Sequence, residues 1–130
     1  MAYAQWIQIA NEPANYSATI KNVKLPWGKF YKCPNQDNEI PVSDIEGHVV
    51  QAGTEYDICS CGRENSPSGT EGSFDYYDGN VYVGTFNWDC PYTGSNSWSW
   101  QPGNSGYLTQ TQGGSTSGAI GLVVIKSVKM

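Results

Sequence analysis

The sequence predicts an all-β chain, and three observations carry that reading. Apolar residues recur with a period near two, no window of a dozen residues holds a helical stripe, and Gly, Asn, Ser, Thr and Tyr are abundant while Leu is scarce. A length of 130 residues accommodates one domain with one core, so residues 1–130 are read as a single domain without repeat or linker.

Strands are expected near residues 3–10, 16–25, 27–32, 55–60, 73–77, 81–87, 97–101, 106–111 and 119–128. In the first, Ile7 and Ile9 share a face, which turns Trp6 and Gln8 to the other. Asp78-Gly79 between the runs Phe74–Tyr77 and Val81–Val83 fits a type I′ hairpin, whose positive φ angles those residues tolerate. In the last strand Ile120, Leu122 and Val124 share one parity and Val123 and Ile125 the other, so burial on both faces is expected. Clustered Pro, Asn, Ser and Gly predict polar loops from Pro34 to Pro41 and from Glu64 to Glu71. Short strands at this spacing form a sandwich or a barrel.

Five tryptophans exceed what one small core requires. Trp6 is directed outward by strand parity, Trp27 sits between Pro26 and Gly28 at a strand start or loop rim, and Trp88 and Tyr92 flank the irregular Asp89-Cys90-Pro91. Trp98 and Trp100 are the tryptophans expected in the core. Exposed indole and phenol rings set an apolar body against hydrocarbon or a sugar face while the polar edge stays wet. A lipid-binding surface is therefore the leading expectation, and a glycan-binding module is the alternative.

The net charge of -5 argues against a nucleic-acid groove, where phosphate neutralisation dominates affinity. It also argues against adsorption on anionic lipid. Lys21, Lys24, Lys29 and Lys32 nevertheless make the stretch around Trp27 locally basic, which suits a single phosphate. No run approaches the roughly 20 apolar residues of a membrane-spanning helix. The first residues lack a secretory pattern, so the chain is expected to be soluble, leaderless or secreted with its leader removed, and peripheral on target membranes.

Catalysis finds little support. The lone His48 stands at a strand start and gives no triad. The pairs Glu55 with Asp57 and Asp75 with Asp78 are explained by strand ends and turns, and the glycine pairs precede no helix. Cys33, Cys59, Cys61 and Cys90 lack the C-x-x-C spacing of a zinc site, which leaves buried thiols or a disulfide whose connectivity the sequence leaves open. No metal or cofactor is expected. Asn15-Tyr16-Ser17 matches a weak glycosylation sequon.

Several ordered motifs together resemble the aegerolysin family over nearly the whole chain. They are Ala2-Tyr3-Ala4-Gln5-Trp6, Ile20-Lys21-Asn22, Trp27-Gly28-Lys29, Cys61-Gly62-Arg63, Gly69-Thr70-Glu71-Gly72-Ser73-Phe74-Asp75, Asp78-Gly79-Asn80, Trp88-Asp89-Cys90-Pro91 and Ser117-Gly118-Ala119-Ile120-Gly121. The resemblance implies an antiparallel, actinoporin-like β-sandwich that binds membrane sphingolipid, either sphingomyelin with cholesterol or ceramide phosphoethanolamine. It also implies a larger partner of the membrane-attack-complex/perforin type, in a two-component cytolysin or insecticidal toxin. Trp6 and Trp27 match the family's lipid-facing tryptophans, and Trp88 lies in its Trp-Asp-Cys-Pro motif. The implied lipid site comprises Trp6, Trp27, Lys29, Ser68, Asn87, Trp88 and Tyr92, with a lysine such as Lys29 meeting the lipid phosphate. Tyr92 replaces a usual Trp, Asn87 a common aromatic, and Ser68 an acid of some lipid-selective members, so headgroup choice is expected to differ. Cys61 and Cys90 match the family's usual pair, and Cys33 and Cys59 are additional.

Overall fold

The computed structural model of the protein describes residues 4–64 and 66–130. Met1, Ala2, Tyr3 and Asn65 lie outside the described residues, and with them the start of the first expected strand and part of the first motif. Among the described residues eleven strands follow one another: β1 (Trp6–Pro13), β2 (Ala18–Trp27), β3 (Lys29–Tyr31), β4 (Glu39–Ile40), β5 (Val49–Val50), β6 (Tyr56–Cys61), β7 (Thr70–Asp78), β8 (Val81–Cys90), β9 (Ser97–Pro102), β10 (Tyr107–Gly113) and β11 (Gly121–Lys129). A 3₁₀ turn at Val42–Asp44 separates β4 from β5.

The strands form two sheets, ordered β10-β11-β1-β6-β3-β4 and β5-β2-β7-β8-β9. The sandwich expected from the sequence is present, with one departure from an antiparallel pattern: β1 and β11 run parallel, Ile7 opposite Gly121 through Pro13 opposite Ser127. The two strands are the first and last in the chain, so no hairpin constrains their relative direction.

Alternation fills the space between the sheets. Ile7 and Ile9 of β1, Ile58 of β6, Phe30 of β3 and Val123 and Ile125 of β11 meet Ile20 of β2, Phe74 and Tyr76 of β7 and Phe86 and Trp88 of β8. Two buried polar side chains bond to each other inside this core: the Tyr76 hydroxyl donates to Asn11 Oδ1, and Asn11 Nδ2 donates to the Tyr56 carbonyl at 2.9 Å. Strand β11 corrects the expectation of two buried faces, because Val123, Ile125 and Ser127 are buried while Leu122 is 49% exposed. Its second face is the outer face of the six-stranded sheet.

The β7–β8 hairpin is where the sequence placed it, but its turn differs. Asp78 pairs with Val81, which leaves Gly79-Asn80 as the two-residue connection. Positive φ is confined there to Gly79 (φ 60), the type II′ arrangement rather than I′. Strand β8 also runs three residues further than expected, through Cys90, because Thr70, Glu71 and Gly72 of β7 continue to pair with Cys90, Asp89 and Trp88. A Cβ on Gly72 would lie 2.5 Å from the Trp88 ring, so the glycine vacates the space that the indole fills.

Candidate membrane-binding end

The ends of β2, β6 and β8 and the starts of β1, β3 and β7 gather at one end of the sandwich, and a chain of buried groups crosses from sheet to sheet there. Ser60 Oγ donates to the Lys29 carbonyl at 2.8 Å and lies 2.6 Å from Thr70 Oγ1; the Trp88 indole Nε1 donates to that same Thr70 oxygen at 3.1 Å. Ser60 has one hydroxyl hydrogen and spends it on Lys29, so Thr70 donates to Ser60 and accepts from Trp88. Trp88 is 1% exposed, Thr70 1% and Ser60 0%.

Above this chain lies a groove of about 330 Å³ lined by Trp27, Pro67, Ser68, Glu71, Asp89 and Tyr92, with Thr70 in its floor. Trp27 is 56% exposed and Tyr92 53%, so two large rings border the groove in contact with water. Glu71 and Asp89 are cross-strand partners and Trp27 pairs with Glu71, so two carboxylates line the groove together with the rings. A cation with an apolar body suits this combination, since carboxylates and ring faces both attract positive charge. A second depression lined by Lys24, Pro26, Ser73, Asn87 and Trp88 shares Glu71 and Asp89 with the first.

Of the seven residues implicated by the sequence, the structure brings Trp27, Ser68 and Tyr92 into one groove and sets Asn87 beside it. Ser68 is half-buried with its Oγ 2.9 Å from Ser66 Oγ, and Asn87 Oδ1 accepts from Ser99 Oγ at 3.1 Å. Trp88 corrects the expectation of a rim residue: it is among the largest fully buried side chains, packed on Phe30, Phe74 and Phe86. Its parity with Phe86 and Cys90 is the signal that places it inside. Trp98 and Trp100 are half-buried and pack on the core's edge.

Trp6 does face away from Ile7 and Ile9, but it is half-buried against Tyr31, Cys59, Cys61 and Cys33 on the outer face of the six-stranded sheet, and it does not line the groove. Lys29, opposite Cys61, is 7% exposed, which corrects its expected availability to a lipid phosphate.

The cysteines resolve as a Cys33–Cys59 disulfide with Cα atoms 5.6 Å apart, and Cys61 and Cys90 as buried thiols. Burial pushes the Cys61 thiol up to about 11. The disulfide ties the segment after β3 to β6, and a bidentate Arg63–Glu39 pair at 3.0 and 2.9 Å holds the same segment from the other side. Asn15 of the sequon is committed to the fold, with Nδ2 donating to the Lys129 carbonyl and Oδ1 accepting from the Lys129 N–H, both at 2.7 Å. His48 stacks on Tyr56 with ring centroids 3.7 Å apart. Among the described residues no group of three or more His, Cys, Asp or Glu is arranged to hold a metal ion, and no helix is long and apolar enough to cross a membrane.

The aegerolysin family model matches residues 4–130. The chain belongs to the aegerolysin family. It is 39% identical over 130 residues to aegerolysin Aa-Pri1 of Cyclocybe aegerita, covering 95% of this chain and 90% of that protein. It is 41% identical over 93 residues to Asp-hemolysin of Aspergillus fumigatus, covering 70% and 67% respectively. Among solved structures, RahU protein, crystallised in complex with Tris, superposes with a TM-score of 0.96 at 42% identity, covering 99% of this chain and 98% of that one. The aegerolysin fold thus holds Trp27 and Tyr92 at the mouth of a carboxylate-lined groove in this member. The sequence reading missed Glu71 and Asp89, whose alternation with buried Gly72 and Cys90 marks them as outward-facing partners across a hairpin.

Proposed function

We propose that this aegerolysin binds sphingolipid-containing membrane through the Trp27–Tyr92 end of the sandwich, and that it acts without catalysis as the targeting subunit of a larger perforin-like protein. The observation that carries the reading is the presence of two rings, each more than half exposed, on a groove that Glu71 and Asp89 also line. Rings of this kind partition into the headgroup layer, which supplies affinity to a protein whose charge of -5 disfavours anionic lipid. The cation of a zwitterionic headgroup fits between the ring faces and the carboxylates of Glu71 and Asp89. Membership of a family with haemolysin-named relatives supports a role at cell membranes.

Vesicle sedimentation tests the lipid half. Vesicles of sphingomyelin with cholesterol, of ceramide phosphoethanolamine with cholesterol, and of phosphatidylcholine alone are compared, and binding is expected to be stronger to at least one sphingolipid mixture than to phosphatidylcholine. Equal absence of binding to all three defeats the proposal. Dye release that requires both this protein and a co-encoded perforin-like protein tests the partner half.

A further inference from the structure

We propose that Thr70 is the positioning residue of the membrane-binding groove, and that the buried relay from Trp88 through Thr70 and Ser60 to the Lys29 carbonyl fixes the pose of Trp27. The inference rests on the lipid-binding reading of that groove.

A ring that is 56% exposed is held by few contacts of its own, so the orientation of Trp27 depends on its backbone. That backbone is bracketed by Thr70. On the chain side, Gly28 follows Trp27 with φ +97, and a Cβ there would lie 2.6 Å from the Cys61 carbonyl oxygen, 2.9 Å from Thr70 Cβ and 3.0 Å from Thr70 Oγ1. The turn that aims Trp27 is thus seated on the Thr70 side chain, with no space between. On the strand side, Trp27 pairs with Glu71, the residue after Thr70. Two residues beyond Trp27, the Lys29 carbonyl receives the end of the relay.

The relay has a single direction. Trp88 N–H donates to Thr70, Thr70 O–H donates to Ser60, and Ser60 O–H donates to Lys29 C=O, so each donor is used once and each bond polarises the next. It joins β8 and β7 of one sheet to β6 and β3 of the other, and Thr70 is the member that also lines the groove. A core residue with no bearing on the groove would have no reason to supply both a hydroxyl to the relay and a wall to the Trp27 turn.

The test compares Thr70→Val, which keeps the shape and removes the hydroxyl, with Thr70→Ser, which keeps the hydroxyl. Each protein carries 5-fluorotryptophan, and Trp27→Phe assigns the Trp27 fluorine resonance. The proposal expects Thr70→Val to move that resonance in the folded protein without lipid, and to raise the lipid concentration for half-saturation of sphingomyelin–cholesterol or ceramide phosphoethanolamine vesicles by up to about tenfold, the scale of losing the Trp27 ring's contact with the headgroup layer. Thr70→Ser is expected to restore both within about twofold. Unfolding midpoints are recorded in parallel. A folded Thr70→Val protein with a lowered midpoint, an unmoved Trp27 resonance and unchanged affinity overturns the proposal. If Thr70→Val does not fold, Ser60→Ala breaks the next link and is read by the same two signals, with the same result overturning the idea. Should the unaltered protein bind none of the vesicles, the lipid reading fails while the fluorine resonance still decides whether Thr70 positions Trp27.

Discussion

The side-chain amide of Asn15 clasps the backbone of Lys129 at both of its polar groups, each at 2.7 Å. The turn between the first two strands is thereby bound to the last. Asn15→Asp removes the donor and sets a carboxylate against a carbonyl. Because the site is exposed, a loss of about 1 kcal/mol is expected, or about 3–5 °C in the midpoint of thermal unfolding followed by circular dichroism. The same clasp occupies the nitrogen that an N-linked glycan would need.

Trp27 and Tyr92 should separate affinity from stability. Replacing either by Ala removes a water-exposed ring, so unfolding midpoints should stay within about 0.5 kcal/mol of the parent. Vesicle affinity should fall about tenfold for each, the equivalent of roughly 1.4 kcal/mol of apolar contact with the headgroup layer. Equilibrium titration of sphingolipid vesicles measures it, and unchanged binding in the double variant would remove these rings from the mechanism.

Trp88 should show the opposite pattern. Its ring fills the space opposite Gly72 in the core, so Trp88→Ala should cost about 3–5 kcal/mol in denaturant unfolding. Gly72→Ala, which pushes a methyl toward the same ring and the Lys24 carbonyl, should cost about 1–3 kcal/mol by overpacking.

Glu55 gives the fold a pH dependence at neutrality. Glu55 is exposed, and its hydrogen bond with Asp57, then the Asp57 charge, with smaller contributions from desolvation and Glu12, raise its carboxyl from 4.5 to about 7. The folded protein therefore holds this proton more tightly than the unfolded chain does. The stabilisation is complete below the unfolded value near 4.5 and is lost as pH rises through 7. Glu55→Gln should flatten that part of the stability profile and leave the variant more stable than the parent at pH 8. Chemical denaturation between pH 4 and pH 8 reads the difference; parallel profiles would contradict it.

The Cys33–Cys59 link closes a separation of 26 residues, and its loss in the double Ser variant should cost about 3 kcal/mol. Denatured, unreduced protein should titrate two thiols, Cys61 and Cys90, and four after reduction.

Much of this was legible in single strands. The alternation of Trp6 and Ile7 gave the correct facing of β1, and the aromatic runs around Asp78-Gly79 gave the correct hairpin. Trp88 was misread because Asp89-Cys90-Pro91 has the composition of a rim, whereas cross-strand pairing with Thr70 and Glu71 keeps that segment extended through Cys90. Two-residue strands β4 and β5 are too short to show a period. The Trp88–Thr70–Ser60–Lys29 relay draws on four strands, β3, β6, β7 and β8, and one-strand periodicity carries no information about which polar residues meet across a sandwich.

The parallel pairing of β1 with β11 bears on how the protein is made. Strand β1 lies between β11 and β6 in the six-stranded sheet, so the core sheet has an open inner edge until Ile125 and its neighbours leave the ribosome. Contacts of such long sequence separation slow folding and leave the nascent chain's unpaired edge available to other chains. Expression yield of this protein should therefore respond to chaperone supply more than its native stability suggests, because the vulnerable interval precedes synthesis of the last strand.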